Sequence, residues 1–160
     1  MVAQPDAQRR LVLHGAIILL VGLLCGYPSI IEEASRSGRM WQAAHSALLV
    51  LGVWLIATAA VLPLLELPRR EWGALLLSLT GGAYGFMTAV VIQAATGVRA
   101  ISPDVSGISL VAFAANLLAV LGTVLAASLT ILGAWNALRA SRREPGAEPA
   151  DSASSLEPGM

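Results

Sequence analysis

The chain has 160 residues, of which 56% are hydrophobic and 12% are charged, and ten acidic side chains balance ten basic ones. A typical soluble domain carries about 25% charged residues, so this composition indicates an integral membrane protein. The net charge of zero gives no indication of a nucleic-acid-binding surface, and we expect no nucleic-acid partner. The single cysteine excludes a disulfide within one chain.

Four apolar segments follow one another along the chain, each long enough to cross a bilayer. A transmembrane helix needs about 20 predominantly apolar residues. On that basis we predict spans over 11–27, 43–67, 72–97 and 107–138. Pro28 ends the first predicted span, and a short turn at 68–71 joins the second to the third. The sequence therefore predicts an all-α fold for residues 1–138, an integral membrane four-helix bundle of up-down-up-down topology.

The residues after the last span differ sharply from the membrane domain. The segment 139–160 is rich in Ser, Pro, Glu and Ala, a composition that cannot bury enough apolar surface to fold. We predict that it forms a disordered cytoplasmic tail.

The basic residues, all of them arginine, predict the orientation of the chain in the membrane. Seven fall on one side of the four-span arrangement: Arg9, Arg10, Arg69, Arg70, Arg139, Arg142 and Arg143. Three fall on the other: Arg36, Arg39 and Arg99. By the positive-inside rule, both termini lie in the cytoplasm, as expected for a multi-pass protein of the inner (cytoplasmic) membrane.

The two histidines lie near the ends of predicted transmembrane spans. His14 is near the start of the first predicted span, and His45 opens the second. Placing a titratable ring within the apolar part of a bilayer costs free energy, so such a residue usually has a hydrogen-bond partner or a function. For His45 we consider the binding of a metal, with the iron of a haem as the favoured one, and the alternative is a hydrogen-bonded structural group. For His14 we expect a structural hydrogen bond or anchoring of the N-terminal segment.

The distance between the histidines limits what they do together. Thirteen residues separate His14 from Tyr27 at the far end of the first span, which is about 20 Å at the helical rise. The two rings should therefore not hold one iron within one chain. A haem bound by one histidine and open on its other face, for example between protomers, fits better, because substrate chemistry needs an open coordination site.

Two short motifs carry a resemblance to a known family. His14-Gly15 stands near the start of the first span, and Ala44-His45 near the start of the second, with Gly52 seven residues further on. This arrangement resembles the small four-span isomerase family that includes hydroxylaminobenzene mutase and styrene oxide isomerase. The resemblance covers residues 9–138.

The resemblance implies a specific chemistry. It implies a homo-oligomer, with a trimer favoured, that binds haem b with His45 as an axial ligand to the metal. The ferric iron acts as a Lewis acid, and the substrate is a small apolar aromatic molecule that enters from the lipid bilayer. The reaction is a redox-neutral rearrangement, either of an epoxide to an aldehyde or of an aryl hydroxylamine to an aminophenol.

The chain departs from the family pattern in its polar residues. Leu51 stands where family members carry an asparagine, six residues after the histidine, and the third span has no Asn or Asp. The side chains left to form a substrate pocket with Leu51 are Thr80, Tyr84 and Thr88.

Tyr84, flanked by Gly82 and Gly85, is the candidate catalytic residue. The alternative is a packed tyrosine whose hydroxyl bonds a carbonyl. Two other functions also stay open: a non-catalytic haem-binding or haem-sensing protein of the same fold, and a membrane scaffold without a cofactor.

Overall fold

The computed structural model describes residues 4–32, 35–98, 101 and 107–142. Within them the chain forms four helices and no strands: α1 (Gln4–Ile31), α2 (Arg36–Val61), α3 (Arg69–Thr96) and α4 (Gly107–Ser141). Each of the four is long and apolar enough to cross a membrane. The prediction of an all-α, four-span membrane protein is confirmed.

The helices begin and end at different residues from the predicted spans. α1 continues past Pro28, where we expected the span to end, because the Glu32 N–H donates to the Pro28 carbonyl (3.0 Å) and completes the turn. α2 begins seven residues before the predicted start at 43, since the Ser35 hydroxyl caps it by accepting from Gly38 N–H (2.9 Å).

The second helix also ends earlier than predicted. It stops at Val61, and a single 3-10 turn (Leu62–Leu64) contains Pro63, which cannot donate a backbone hydrogen bond. At the other end of the chain, α4 runs through Ser141. The predicted tail beyond Arg142 lies outside the described residues.

Glycines allow α1 and α2 to pack as an antiparallel pair, the α1–α2 hairpin. A Cβ added to Gly15 would lie 2.9 Å from the Gly52 carbonyl oxygen, and one added to Gly52 would lie 2.8 Å from that of Gly15. Further along, a Cβ on Gly22 would lie 3.1 Å from the Leu48 Cβ. The two backbones therefore touch over several turns, as small residues permit in membranes.

The second pair, the α3–α4 hairpin, crosses at Gly82 and Gly122. A Cβ on Gly122 would lie 2.8 Å from both the Gly82 Cα and the Ser78 carbonyl oxygen. The connection between α2 and α3 is tied to this hairpin, since the Glu66 N–H donates to the Gly133 carbonyl (3.1 Å). The start of α3 and the end of α4 therefore lie at the same end of the bundle as the end of α2.

The two hairpins meet through α3, which packs on both α2 and α1, while α2 and α4 do not contact each other in the described part of the chain. The core at this junction consists of fully buried aliphatic side chains, among them Leu11, Ile18, Leu48, Leu55, Leu75 and Leu79. Because α4 reaches only α3 and the connecting turn, a gap stays open between α2 and α4.

The α3–α4 crossing gives a testable prediction. Gly122→Ala places a methyl group against two backbone atoms, so we expect the free energy of unfolding to fall by about 1–3 kcal/mol. Gly81→Ala is the matched control, because no atom lies within 4 Å of its added Cβ. Alanine is the better helix former, so this control should not destabilise the protein. Thermal unfolding in detergent measures both, and a Gly122→Ala protein as stable as the wild type would contradict the backbone contact.

Candidate functional site

The His45 ring is held against α1 by a hydrogen bond to the backbone. Its Nδ1 lies 2.8 Å from the Gly22 carbonyl oxygen, and the side chain is half-buried. A carbonyl only accepts hydrogen bonds, so Nδ1 carries the hydrogen and donates it. In the neutral ring, the lone pair is then on Nε2. A histidine that ligates a metal usually donates its other ring N–H in this way, which fixes its tautomer and orientation.

A second glycine of α1 makes room for the same ring. A Cβ added to Gly26 would lie 3.0 Å from the His45 Nδ1 and 3.2 Å from its Cε1. Any side chain at this position would press on the imidazole and disturb its bond to Gly22. The α1 surface is therefore shaped to seat a histidine in one orientation.

The other histidine pairs with the candidate catalytic tyrosine. His14 Nδ1 and Tyr84 Oη are hydrogen-bonded at 2.9 Å, and the rings meet edge to face, with centroids 5.5 Å apart. The tyrosine hydroxyl therefore bonds a side chain of α1 rather than a backbone carbonyl, and His14 makes a structural hydrogen bond, one of the two roles expected for it. This bond joins the α1–α2 hairpin to the α3–α4 hairpin.

The two histidines occupy separate places along α1. His45 contacts α1 at Gly22, eight residues beyond His14, which corresponds to about 12 Å of helix. Among the described residues, no three His, Cys, Asp or Glu side chains converge on a position that could hold a metal ion. A haem needs only one protein ligand, because its porphyrin supplies four, and His45 meets that requirement.

A cavity of about 630 Å³ fills the gap between α2 and α4, with α3 as its floor. We call it the α2/α4 groove. Its lining residues are apolar apart from two serines, a threonine and a tryptophan, and its volume is typical of small-molecule sites. The lining residues are Ala43, Ser46, Ala47, Val50, Leu51, Trp54, Ser78, Leu79, Gly82, Ala83, Phe86, Thr123 and Ala126.

The residues proposed for a substrate pocket do not all come together. Leu51 lines the α2/α4 groove, whereas Thr80, Tyr84 and Thr88 do not. Thr80 donates its hydroxyl to the Leu76 carbonyl of its own helix (2.7 Å). The site therefore separates into the His14–Tyr84 pair on one side of α3 and the groove on another.

Four polar residues of the groove were missed by the sequence analysis: Ser46, Trp54, Ser78 and Thr123. Ser78 and Thr123 lie beside Gly82 and Gly122, the residues at which α3 and α4 cross. The glycines were visible in the sequence, but only the pairing of these two helices shows that the hydroxyls share a cavity.

His45 and the groove lie on different sides of α2. The imidazole contacts α1, while the neighbouring Ala43 and Ser46 face the groove. Within one chain, a group bound at His45 and a molecule bound in the groove are therefore separated by the second helix.

The fold and these sites define a multi-pass membrane protein with one oriented histidine and an apolar groove between its helices. The chain belongs to the styrene oxide isomerase family, whose family model matches residues 7–135. The predicted family is confirmed, and membership indicates a membrane isomerase. No curated protein and no solved structure matches the chain.

The His14–Tyr84 bond gives a prediction for stability. Tyr84→Phe removes the hydroxyl without changing the ring, and we expect the free energy of unfolding to fall by about 1 kcal/mol, as for other interhelical hydrogen bonds in membranes. Tyr27→Phe is the control, since that side chain is 70% exposed. In a double-mutant cycle with His14→Phe, Tyr84→Phe should cost little once the histidine is gone. Additive losses would show that the two side chains do not interact.

Proposed function

We propose that the protein is a haem-b-dependent membrane isomerase that rearranges a small apolar aromatic substrate without net oxidation or reduction. The substrate is either an epoxide, which becomes an aldehyde, or an aryl hydroxylamine, which becomes an aminophenol. The observation that supports this best is the His45 Nδ1 hydrogen bond to Gly22, which leaves Nε2 as the nitrogen available to a metal. Membership of the isomerase family supports the reaction type.

The residues around His45 fit a haem that would be held by one protein side chain. The imidazole is fixed by the Gly22 carbonyl, and Gly26 leaves the space in which it sits. Bound haem would supply a ferric iron able to act as a Lewis acid on a substrate oxygen, a role that metals perform without proton transfer. His45 would hold the group through Nε2, and the apolar helices around it would limit the access of water.

The position of His45 supports an oligomer, with a trimer favoured. His45 and the α2/α4 groove lie on opposite sides of α2, so one chain alone does not bring a group bound at His45 next to the groove. In an oligomer, a second copy packed against the first would bring its own helices next to His45 and so complete the site there. We propose that the functional unit is a homo-oligomer in which the substrate binds between helices and enters from the bilayer.

The charges at the two ends of the bundle support an inner-membrane protein with cytoplasmic termini. The arginines on the described part of the terminal face are Arg9, Arg10, Arg69, Arg70, Arg139 and Arg142, and those on the opposite face are Arg36 and Arg39. The remaining two, Arg99 and Arg143, lie outside the described residues. The described bias favours the terminal face as the cytoplasmic side.

A second candidate function follows from Leu51. This side chain lines the α2/α4 groove and offers no hydrogen bond, where the resemblance would place an asparagine. A groove lacking that amide fits a protein that binds or senses haem without catalysing a rearrangement.

Absorption spectroscopy of the purified, haem-supplied protein tests the haem proposal. We expect a Soret band in the wild type, and we expect His45→Ala to lose most of it, because the variant has no axial ligand at that position. His14→Gln is the matched control and should keep the band, since its partner is Tyr84. Absence of a Soret band from the wild type, or its full retention in His45→Ala, would contradict the proposal.

Turnover separates the two candidate functions. The haem-loaded wild type should convert styrene oxide to its aldehyde or hydroxylaminobenzene to an aminophenol, detected by chromatography of the products. A protein that binds haem and converts neither compound supports the non-catalytic alternative.

A further inference from the structure

The α2/α4 groove extends over the depth of one leaflet of a bilayer. Its lining on α2 runs from Ala43 to Trp54, which are about 16 Å apart along the axis at the helical rise. The hydrocarbon core of a bilayer is about 30 Å thick, so each leaflet contributes about half of that length. Since α2 begins at Arg36, the groove lies in the leaflet in which this helix begins.

Small residues make room for a ligand along this depth. Ala43 and Ala47 line the groove on α2, and Gly82 and Ala83 line it on α3. In the described part of the chain α2 and α4 do not contact each other, so neither helix closes the gap between them. Lipid molecules therefore have direct access from the bilayer to the cavity of about 630 Å³.

The polar residues of the groove are compatible with an apolar chain. Ser78 Oγ and Thr123 Oγ1 each donate to a carbonyl of their own helix, at 3.0 and 2.8 Å. The other two, Ser46 and Trp54, are exposed at the surface of the chain rather than buried. An acyl chain has no polar atom along its length, so it needs no hydrogen-bond partner in the groove.

Two arginines continue the groove face of α2 beyond the groove itself. At 3.6 residues per turn, the α2 residues that line the groove fall within an arc of about 140°, and Arg36 and Arg39 fall within the same arc. Arg39 precedes Ala43 by one turn, which is about 6 Å along the axis. His45 falls on the opposite side of the helix, in agreement with its bond to α1. The two arginines therefore stand at the end of the groove, where α2 reaches the membrane surface.

Both arginines are exposed and available to an anion. Among the described residues, neither guanidinium forms an ion pair or a side-chain hydrogen bond. Glu32, the carboxylate described at this end of the bundle, is exposed and pairs with neither of them. Arginine binds phosphate oxygens through parallel charge-assisted hydrogen bonds, which are stronger than those between neutral groups. A phosphate is therefore a fitting partner for this end of the groove.

We propose that the α2/α4 groove binds an anionic phospholipid, with one acyl chain in the groove and the head-group phosphate at Arg36 and Arg39. The apolar cavity and the two cations follow one another in the order in which a phospholipid carries its chain and its phosphate. A head group of net negative charge binds better than a zwitterionic one, because the arginines repel the ammonium of the latter. The second helix separates this site from His45.

Native mass spectrometry of the full chain, purified in detergent and titrated with phospholipids, tests the proposal. The probes are dioleoyl phosphatidylglycerol and dioleoyl phosphatidylcholine, which have the same acyl chains and differ in head-group charge. We expect the wild type to bind one phosphatidylglycerol per chain about tenfold more tightly than phosphatidylcholine, since each arginine adds to the attraction. Equal affinity for the two lipids would contradict the proposal.

Charge variants locate the head group. Arg36→Gln with Arg39→Gln should remove the preference for phosphatidylglycerol and leave the affinity for phosphatidylcholine unchanged. Arg69→Gln with Arg70→Gln is the matched control, because these exposed arginines lie at the other end of the bundle. The control should keep the preference. A preference that survives the first pair of substitutions, or is lost in the control, would overturn the proposal.

A second pair of variants locates the acyl chain. Ala47→Phe places a ring in the groove and should weaken the binding of both lipids, whereas Ala60→Phe, at an exposed position of α2 outside the groove, should not. Unchanged lipid binding by Ala47→Phe would show that the chain lies elsewhere. Loss of an oligomer without loss of lipid would show that a second copy occupies the groove, and either result would overturn the proposal. These measurements do not depend on haem, so a failure here is distinct from a failure at His45.

Discussion

Direct contact between helix backbones at glycine is the constraint on which the rest of the structure depends. At Gly15, Gly52 and Gly122, an added Cβ would lie within 3.0 Å of backbone atoms of the partner helix, so it would displace backbone. In a bilayer, where lipid is as apolar as the helices, such close packing is a main source of association. These contacts fix the rotation of each helix in its hairpin. They turn His45 toward α1 and Leu51 toward the groove.

The second constraint is that polar groups at membrane depth need partners. His45 bonds a carbonyl of the neighbouring helix, His14 bonds Tyr84, and Ser78 bonds its own helix. Once these hydrogen bonds are formed, the atoms that remain without a partner determine what each site can bind. On one side of α2 the available group is the Nε2 lone pair of an oriented imidazole, and on the other side lies a largely apolar cavity.

Much of the fold could be predicted from the sequence, because long apolar segments and their breaks follow from simple transfer energetics. The number of helices and their all-α character followed from hydropathy alone. Their ends did not: the Ser35 cap extends α2 towards its N-terminus, and the helix hydrogen bonds resume beyond Pro28. The average hydropathy of a span contains no information on these local hydrogen bonds, so it does not predict where a helix begins or ends.

The candidate site was predictable in part. His45 stands out because a histidine in an apolar segment is rare and costly, and its short motif carries a family resemblance. The carbonyl it bonds, at Gly22, was not predictable, nor was the pairing of His14 with Tyr84 across 70 residues. Because these helices are uniformly apolar, their sequences have no hydrophobic periodicity that would show which faces pack against each other. The groove hydroxyls stayed hidden for the same reason.

The hydrogen bond to α1 fixes His45 with its hydrogen on Nδ1 and thereby leaves Nε2 available to a metal. Nitrogen-15 solid-state NMR of the histidine-labelled, haem-free protein in lipid tests it directly. The chain has only two histidines, and His14→Gln identifies the signals of the other. We expect a protonated Nδ1 and an unprotonated Nε2 for His45 in the neutral ring, with the Nε2 signal altered when haem is added. A neutral His45 with its hydrogen on Nε2 would show that Gly22 does not hold the ring in this tautomer.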